Sequence, residues 1–248
     1  MKILKVISLL LDYPTAQLRE HQLELAMAIT SAHEISPEQR AELRALLGEL
    51  CYGDLMEVQE RYTDLFDRGR ALSLLLFEHV HGESRDRGQA MVDLMAQYEA
   101  AGFAIGVREL PDYIPLYLEY LATREDLEAR EGLADVAHLL ALLAARLQER
   151  ESPHAACFRA LLQIAGEPVQ ETLSVLREQV AAEERDDSLE ALDKVWEEEQ
   201  VNFLQAEQQD RCPSMPGKAR EESPVPLHWT DFKHDGPAAA LAQEVRNV

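Results

Sequence analysis

Apolar residues recur at intervals of three and four along most of this chain, from its start to about residue 205. That spacing is typical of amphipathic α-helices, in which one face is buried. Leu43, Leu46, Leu47 and Leu50 form one such face. Alternating runs of β-branched residues, which mark strands, do not occur in the sequence. We therefore predict an all-α domain over residues 1–205, a single globular bundle of roughly ten helices.

Several residues predict where helices begin and end. Ser36, Pro37 and Gln39 have the N-cap serine, first-turn proline and capping-box glutamine of a helix start. Gly102 and Gly166 are placed to end helices, because glycine adopts the left-handed conformation of a C-terminal cap. The apolar periodicity from 133 to 147 predicts one long helix, and Asp187-Ser188 predicts the start of a last one.

The composition changes after residue 205. Five of the eleven prolines lie beyond that point, among Gln, Glu, Ser and Gly. Such a segment buries too little apolar surface to offset its conformational entropy. We predict that residues 206–248 form a mostly disordered, acidic tail.

The charge of the chain excludes two classes of partner. There are 24 Lys and Arg against 46 Asp and Glu, a formal charge of −22. Nucleic acids and anionic membranes both require basic surfaces, so we expect neither as a stable partner. No apolar run reaches the length of a membrane span. The three cysteines, Cys51, Cys157 and Cys212, are widely spaced, which is typical of a reduced cytoplasmic protein.

Residues 67–89 form an Arg-Gly island in this acidic chain. Between 61 and 93 there are five arginines and six acidic residues, a net charge of −1. The charged residues and histidines of the island are Asp67, Arg68, Arg70, Glu78, His79, His81, Glu83, Arg85, Asp86 and Arg87. Arg-Gly pairs beside helix starts can bind phosphate or carboxylate groups. Alternatively, the four arginines pair with the nearby carboxylates and brace two helices, which is the interpretation we favour.

The two histidines of the island raise the question of a metal site. His79 and His81, with Glu78 and Glu83, could serve a helical metal-dependent hydrolase. Residues two apart on a helix point about 200° apart, so both imidazoles reach one ion only if Gly82 breaks the helix. The alternative is a partly buried histidine pair at a helix end. We expect no metal, no cofactor and no catalytic residue.

Two acidic features suggest a basic ligand. Glu109 and Asp112 flank Pro111, and an exposed Asp112 could hold a cationic peptide group with Glu109. Alternatively, Asp112 caps the helix that begins near Ile114. Residues 183–199 contain nine acids and two bases, including Glu197, Glu198 and Glu199. Such a run is either a solvated helix face or a surface that attracts a basic ligand.

These segments resemble a known family. Residues 67–94, 109–120 and 195–201 are similar to the NarJ family of nitrate reductase assembly chaperones, within the superfamily of TorD-like and DmsD-like chaperones. The resemblance implies a TorD-like all-helical fold and a cytoplasmic chaperone without catalysis. It implies binding to the apo catalytic (alpha) subunit of nitrate reductase, including an N-terminal segment related to twin-arginine leaders. The chaperone would keep that subunit competent for molybdenum cofactor and iron–sulfur insertion, delay membrane attachment, and leave.

The resemblance also implies site residues. The superfamily has a Glu-x-x-Asp-His type motif that helps to contact the leader; Glu109 and Asp112 match its acids, and Tyr113 replaces its histidine. The predicted client-binding residues are Glu109, Asp112, Tyr113, Tyr117 and Glu119. They would form a groove with an apolar floor and an acidic rim. The island would brace that groove or contact the client or the cofactor. Molybdenum cofactor delivery proteins are further candidate partners, and we expect a monomer or a weak homodimer. A permanent structural subunit is the competing non-catalytic hypothesis.

Overall fold

The computed structural model describes residues 1–81, 85–106, 109–183, 185–191 and 193–194. Within these residues the named elements are all helices, and the β-structure is one isolated antiparallel bridge between Leu75 and Tyr113. The prediction of an all-α fold is therefore confirmed, with more helices than the ten expected. The helices are α1 (Lys2–Leu11), α2 (Ala16–Glu20), α3 (Gln22–Ser31), α4 (Pro37–Cys51), α5 (Leu55–Phe66), α6 (Leu76–His81), α7 (Arg85–Ala100), α8 (Ile114–Ala122), α9 (Asp126–Asp135), α10 (Ala137–Glu149), α11 (Ala155–Ala165) and α12 (Val169–Ala181).

Helix ends follow the predicted signals where those signals are local. The Ser36 hydroxyl accepts a hydrogen bond from the Gln39 amide at 3.2 Å, and Pro37 opens α4. Gly102 and Gly166 have φ angles of 72° and 91°, and they follow α7 and α11 directly or within two residues. Left-handed backbone of this kind satisfies the last carbonyls of a helix.

The predicted long helix from 133 to 147 is wrong. The chain breaks at Val136, with φ −106° and ψ 8°, between α9 and α10. Leu133 before the break and Leu139 after it are both buried. The periodicity continues across the break because both helices bury their apolar faces in the same core, and no Gly or Pro stands at the break to signal it.

The core lies around α1 and α11. In α1, Leu4, Ile7, Leu10 and Leu11 are fully buried, and the helix packs against α8, α3, α11 and α4. A hydrogen bond of 2.8 Å from the Ser8 hydroxyl to the Pro115 carbonyl ties α1 to α8. On the other side α10 packs against α11 and α12. This packing fixes the C-terminal end of α1, where the candidate site lies.

Other expectations divide between described and undescribed residues. No described helix combines the length and the apolar character required to cross a membrane. Cys51 and Cys157 are buried free thiols. The segment 195–248, which includes Glu197, Glu198, Glu199 and the predicted tail, lies outside the described residues, so the boundary at 205 stays a prediction.

Candidate functional site

A cleft of about 380 Å³ opens where the C-terminal ends of α1 and α5 meet the loops before α6 and α8. We call it the acidic cleft. None of the described residues that line it is basic. They are Asp12, Tyr13, Tyr62, Phe66, Asp67, Ser73, Leu74, Leu75, Glu109, Leu110 and Tyr113.

Three carboxylates form the rim of the acidic cleft. Asp12, Asp67 and Glu109 are all exposed, and they come from three separate parts of the chain. Burial, reinforced by these three negative charges, raises the pKa of Tyr62 above its ordinary value. Since all three charges act on one hydroxyl, the rim concentrates negative potential at the mouth of the cleft.

Aromatic side chains form the floor. Tyr13 meets Tyr62 edge-on at a centroid distance of 5.5 Å, and Tyr62 lies tilted against Phe66 at 4.9 Å. The Tyr62 hydroxyl donates to the Leu11 carbonyl at 2.9 Å, which anchors the floor to the end of α1. Tyr13 is 45% exposed and Leu110 is 43% exposed. The cleft therefore offers open apolar surface directly beside its carboxylates.

Tyr113 connects the floor to the rim. Its hydroxyl donates to Asp12 Oδ1 at 3.0 Å and lies 3.4 Å from the Tyr62 hydroxyl. Burial raises the pKa of Tyr113 well above its ordinary value, and the neighbouring Tyr62 and Asp12 add to this shift. Tyr113 therefore remains a neutral donor at physiological pH, and it can orient Asp12.

Asp112 lies behind the cleft, and its predicted exposure is wrong. It is 0% exposed, and its Oδ2 accepts a hydrogen bond from the Phe77 amide at 3.1 Å. Its main-chain carbonyl accepts another from the Leu76 amide at 3.0 Å. Asp112 thus caps the start of α6. The predicted cap of α8 is also wrong, because Asp112 bonds α6 and the N-cap position of α8 is Tyr113.

The pairing of two loops explains why Asp112 turns inward. Leu75 and Tyr113 form the isolated bridge, and the Ile114 amide donates to the Leu74 carbonyl at 2.8 Å. This pairing presses the segment before α8 against the segment before α6. In this arrangement Tyr113 lines the cleft, whereas Asp112, in the turn before it, is buried against the start of α6.

The surroundings of Asp112 leave one carboxylate oxygen unsatisfied. Oδ1 is buried and has no hydrogen-bond partner among the described residues, as is also true of Arg87 Nε. Burial raises the pKa of Asp112, while the Phe77 hydrogen bond and the charge of Arg87 oppose that rise. One arginine of the Arg-Gly island therefore acts on Asp112 through its charge.

Tyr117 and Glu119, the other predicted client-binding residues, are not part of the described cleft lining. The Tyr117 hydroxyl donates to the Gly132 carbonyl at 2.9 Å, which ties α8 to α9. Glu119 is half-buried on α8. The structure therefore brings together Glu109 and Tyr113 from the predicted set, and places the remainder elsewhere.

Two arginines of the Arg-Gly island pair with carboxylates close to them in sequence. Arg68 pairs with Asp64 at 2.7 Å rather than with Asp67, and Arg70 Nε lies 4.0 Å from Glu78 Oε1. Asp86 is exposed in the first turn of α7. The side chains of His81 and Arg85, together with Glu83, lie outside the described residues.

The described part of the proposed metal cluster is engaged with its own loop. The Ser73 hydroxyl donates to Glu78, and His79 Nε2 lies 2.8 Å from the Ser73 carbonyl. Because a carbonyl only accepts, His79 Nε2 carries a proton and is blocked as a metal ligand. Among the residues that the structure describes, no three His, Cys, Asp or Glu side chains are grouped to hold a metal ion.

Comparison with known proteins identifies the family. The family model described as nitrate reductase delta subunit matches residues 32–160. The chain is also 54% identical over 201 residues to the nitrate reductase molybdenum cofactor assembly chaperone NarJ of Escherichia coli K12, covering 81% of this chain and 84% of that relative. The chain belongs to the nitrate reductase delta subunit family.

Two further relatives have names that also describe nitrate reductase assembly chaperones. The probable nitrate reductase molybdenum cofactor assembly chaperone NarW of Escherichia coli K12 is 50% identical over 216 residues, or 87% of this chain and 89% of the relative. The corresponding probable NarJ of Bacillus subtilis 168 is 35% identical over 103 residues, or 42% of this chain and 56% of the relative. The resemblance drawn from the sequence is therefore confirmed.

The range matched by the family model covers only part of the cleft lining. Tyr62, Phe66 and Leu110 lie inside the matched range, whereas Asp12 and Tyr13 precede it. Sequence reasoning missed Asp12 and Tyr13 as cleft residues, although they directly follow α1. Their signal was a charged and an aromatic residue directly after the apolar last turn of α1, where the chain emerges at the surface.

Proposed function

We propose that this member of the nitrate reductase delta subunit family is a cytoplasmic assembly chaperone of nitrate reductase. Its acidic cleft would bind the apo alpha subunit through that subunit's basic N-terminal segment. One observation carries the proposal: an open aromatic floor lies beside three exposed carboxylates, with no basic side chain among the described lining residues. The names of the Escherichia coli relatives, which are assembly chaperones, support the same conclusion.

The chemistry of the cleft suits a cationic amphipathic segment. An amphipathic helix presents apolar side chains on one face, which the exposed surfaces of Tyr13 and Leu110 can cover. Lys or Arg side chains at the edge of that face would reach Asp12, Asp67 and Glu109. Charge attraction of this kind accelerates encounter and fixes orientation more than it raises final affinity.

Such binding accounts for the steps of a maturation chaperone. While its N-terminal segment occupies the cleft, the alpha subunit remains away from the membrane and open to molybdenum cofactor and iron–sulfur insertion. Because the rim carboxylates are exposed, their ion pairs with the client are individually weak, and release needs no large input of energy. The chaperone then leaves and is not part of the finished enzyme.

Calorimetric titration tests the site. The probe is a peptide of the alpha subunit's N-terminal basic segment, and the variant is the full chain with Glu109→Gln and Asp67→Asn. We expect about tenfold weaker binding, because two charges are lost from the rim while the Tyr113–Asp12 hydrogen bond is kept. The control carries Glu24→Gln and Glu178→Gln, an equal loss of charge at exposed positions away from the cleft. Unchanged affinity in the folded cleft variant would contradict the assignment.

Co-purification separates a chaperone from a permanent subunit. A chaperone should associate with cofactor-free nitrate reductase and be missing from the active membrane complex. Equal amounts in both fractions would favour the subunit hypothesis.

A further inference from the structure

The Arg-Gly island contacts the acidic segment that follows α12, far away in sequence. We call Glu183, Asp186 and Asp187 the acidic strap. The Ala71 amide donates to Asp186 Oδ2 at 2.6 Å, across 115 positions of the chain. The strap therefore binds the backbone of the island directly.

Gly69 shows how closely the strap approaches. A Cβ built on Gly69 would lie 2.7 Å from the carboxylate carbon and from one oxygen of Asp186. Non-bonded carbon atoms normally stay at least 3.5 Å apart, so only glycine fits here without a shift of Asp186. The glycine of the Arg68-Gly69 pair thus has a physical reason, which is the close approach of Asp186.

Two arginines, Arg146 in α10 and Arg150 at its C-cap, hold the strap in place. Arg150 donates to Asp186 Oδ1 at 3.2 Å and to Asp187 Oδ2 at 3.0 Å, and its side chain is 13% exposed. Arg146 donates to the Ala71 carbonyl at 2.9 Å and forms a two-bond contact with Glu183. Charge-assisted bonds with little exposure are stronger and more directional than surface ion pairs.

The loop that the strap holds is one wall of the acidic cleft. Asp67 lines the cleft at the start of this loop, and Ser73, Leu74 and Leu75 line it at the end. Between them both backbone groups of Ala71 are fixed, the amide by Asp186 and the carbonyl by Arg146. Movement of Ala71 would therefore move a rim carboxylate and an apolar wall together.

We propose that Asp186 is a positioning residue for client binding, which acts through Ala71 to hold the wall of the acidic cleft in its binding geometry. Its effect on the client rests on the proposed function, whereas its effect on the loop does not. Asp187 belongs to the same strap and to the same Arg150 pair, but it makes no described hydrogen bond to the island. It is therefore the matched control.

The first experiment measures the loop and the client in the same full-length variants. Hydrogen exchange of residues 67–75 reports the loop, and calorimetry with the alpha-subunit peptide reports binding. Asp186→Ala should speed hydrogen exchange at the Ala71 amide at least about tenfold. It should weaken peptide binding by a similar factor, as expected for one lost charge-assisted hydrogen bond. Asp187→Ala should change both by less than about twofold, because Asp186 keeps its hydrogen bonds to Ala71 and Arg150.

A double-mutant cycle then tests the contact itself. In the otherwise unchanged chain, Gly69→Ala should weaken peptide binding, because the new Cβ displaces Asp186. The same change should add little in the Asp186→Ala background, since the obstructing carboxylate is gone. Additive effects would show that Gly69 and Asp186 act separately and would overturn the proposal.

The remaining outcomes are also decisive. Asp186→Asn is the substitute test if Asp186→Ala folds poorly. It keeps an oxygen that can accept from the Ala71 amide, so it should retain most of the peptide affinity. Natural exchange and natural affinity in folded Asp186→Ala would overturn the proposal. If the rim variant Glu109→Gln, Asp67→Asn binds normally while Asp186→Ala still speeds exchange, the proposed function fails and the hold on the loop stands.

Discussion

The acidic cleft and the acidic strap contain the same type of side chain in opposite circumstances. In the strap, Arg146, Arg150 and Arg185 all pair with the acids. In the cleft, the described lining contains no base. The comparison teaches that the net charge of −22 says little about any one surface, because local neutralisation decides which acids are available to a partner.

The largest expected difference between the two regions is in stability. Arg150→Ala removes the partner shared by Asp186 and Asp187, and Asp187 has a side chain only 10% exposed. We expect the free energy of unfolding to fall by about 2–3 kcal/mol, because a poorly solvated carboxylate loses a charge-assisted bond. Urea denaturation measures it.

The control for that measurement is Arg185→Ala, whose side chain is 69% exposed. It should cost less than about 0.5 kcal/mol, as is typical of surface pairs. The single rim substitution Glu109→Gln should leave the free energy of unfolding unchanged. A large loss of stability on this substitution would contradict the distinction between the two regions.

Asp112 sharpens the comparison, because it serves the cleft without touching it. Asp112→Ala removes the cap of α6 and should destabilise the protein by about 1–2 kcal/mol, with weaker peptide binding. Asp112→Asn keeps the acceptor for the Phe77 amide and should retain most of both. Equal loss of peptide affinity in folded Asn and Ala variants would indicate that the charge of Asp112 contacts the client.

Salt should affect the two regions differently, with a smaller effect than the substitutions above. The association rate of the alpha-subunit peptide should fall several-fold between low and physiological salt, since exposed rim charges are screened. The unfolding free energy contributed by Arg150 should change less, because its ion pairs are largely buried. Stopped-flow binding and urea titrations at matched salt concentrations measure the two effects. A salt-independent association rate would argue against steering by the rim.

Acid should discharge the cleft before the strap, because the pKa values of Asp67 and Asp187 are shifted in opposite directions. Burial raises the pKa of Asp67, so this rim charge is lost as the pH falls through a value above the usual one. The Arg185 hydrogen bond and the charge of Arg150 lower the pKa of Asp187, so its stabilisation is present above the unfolded-state value and is lost only as the pH falls through its lower folded value. Peptide affinity should therefore decline at a higher pH than the stability provided by Asp187. The reverse order, from calorimetry and denaturation across pH, would contradict this comparison.

Sequence reasoning succeeded where the physical signal is local. Ser36, Gly102 and Gly166 mark helix ends through contacts within a few residues, and their roles are confirmed. It failed at Val136, where two helices share one apolar period without a Gly or Pro between them. The spacing of apolar residues predicts which face of a helix is buried, but it does not show whether the helix continues unbroken.

The candidate site was harder to predict, because distant contacts build it. Asp112 turned out to be buried, since the Leu75–Tyr113 bridge joins two loops that sequence spacing does not relate. The contact between Gly69 and Asp186 is likewise invisible to any local pattern. Glu109 was predicted as a site residue through the family motif. Asp12 could not be predicted, because it lines the cleft only through the contact of the end of α1 with α5.

Zero-length carbodiimide crosslinking to the apo alpha subunit, read by mass spectrometry, tests the central claim most directly. The reagent joins carboxylates to lysines in contact, so it reports which acids of this chain meet the client. We predict crosslinks from Asp12, Asp67 and Glu109 to lysines of the N-terminal basic segment, and few from the strap residues Glu183, Asp186 and Asp187. Crosslinks concentrated on the strap, or on acids remote from the cleft, would contradict the account.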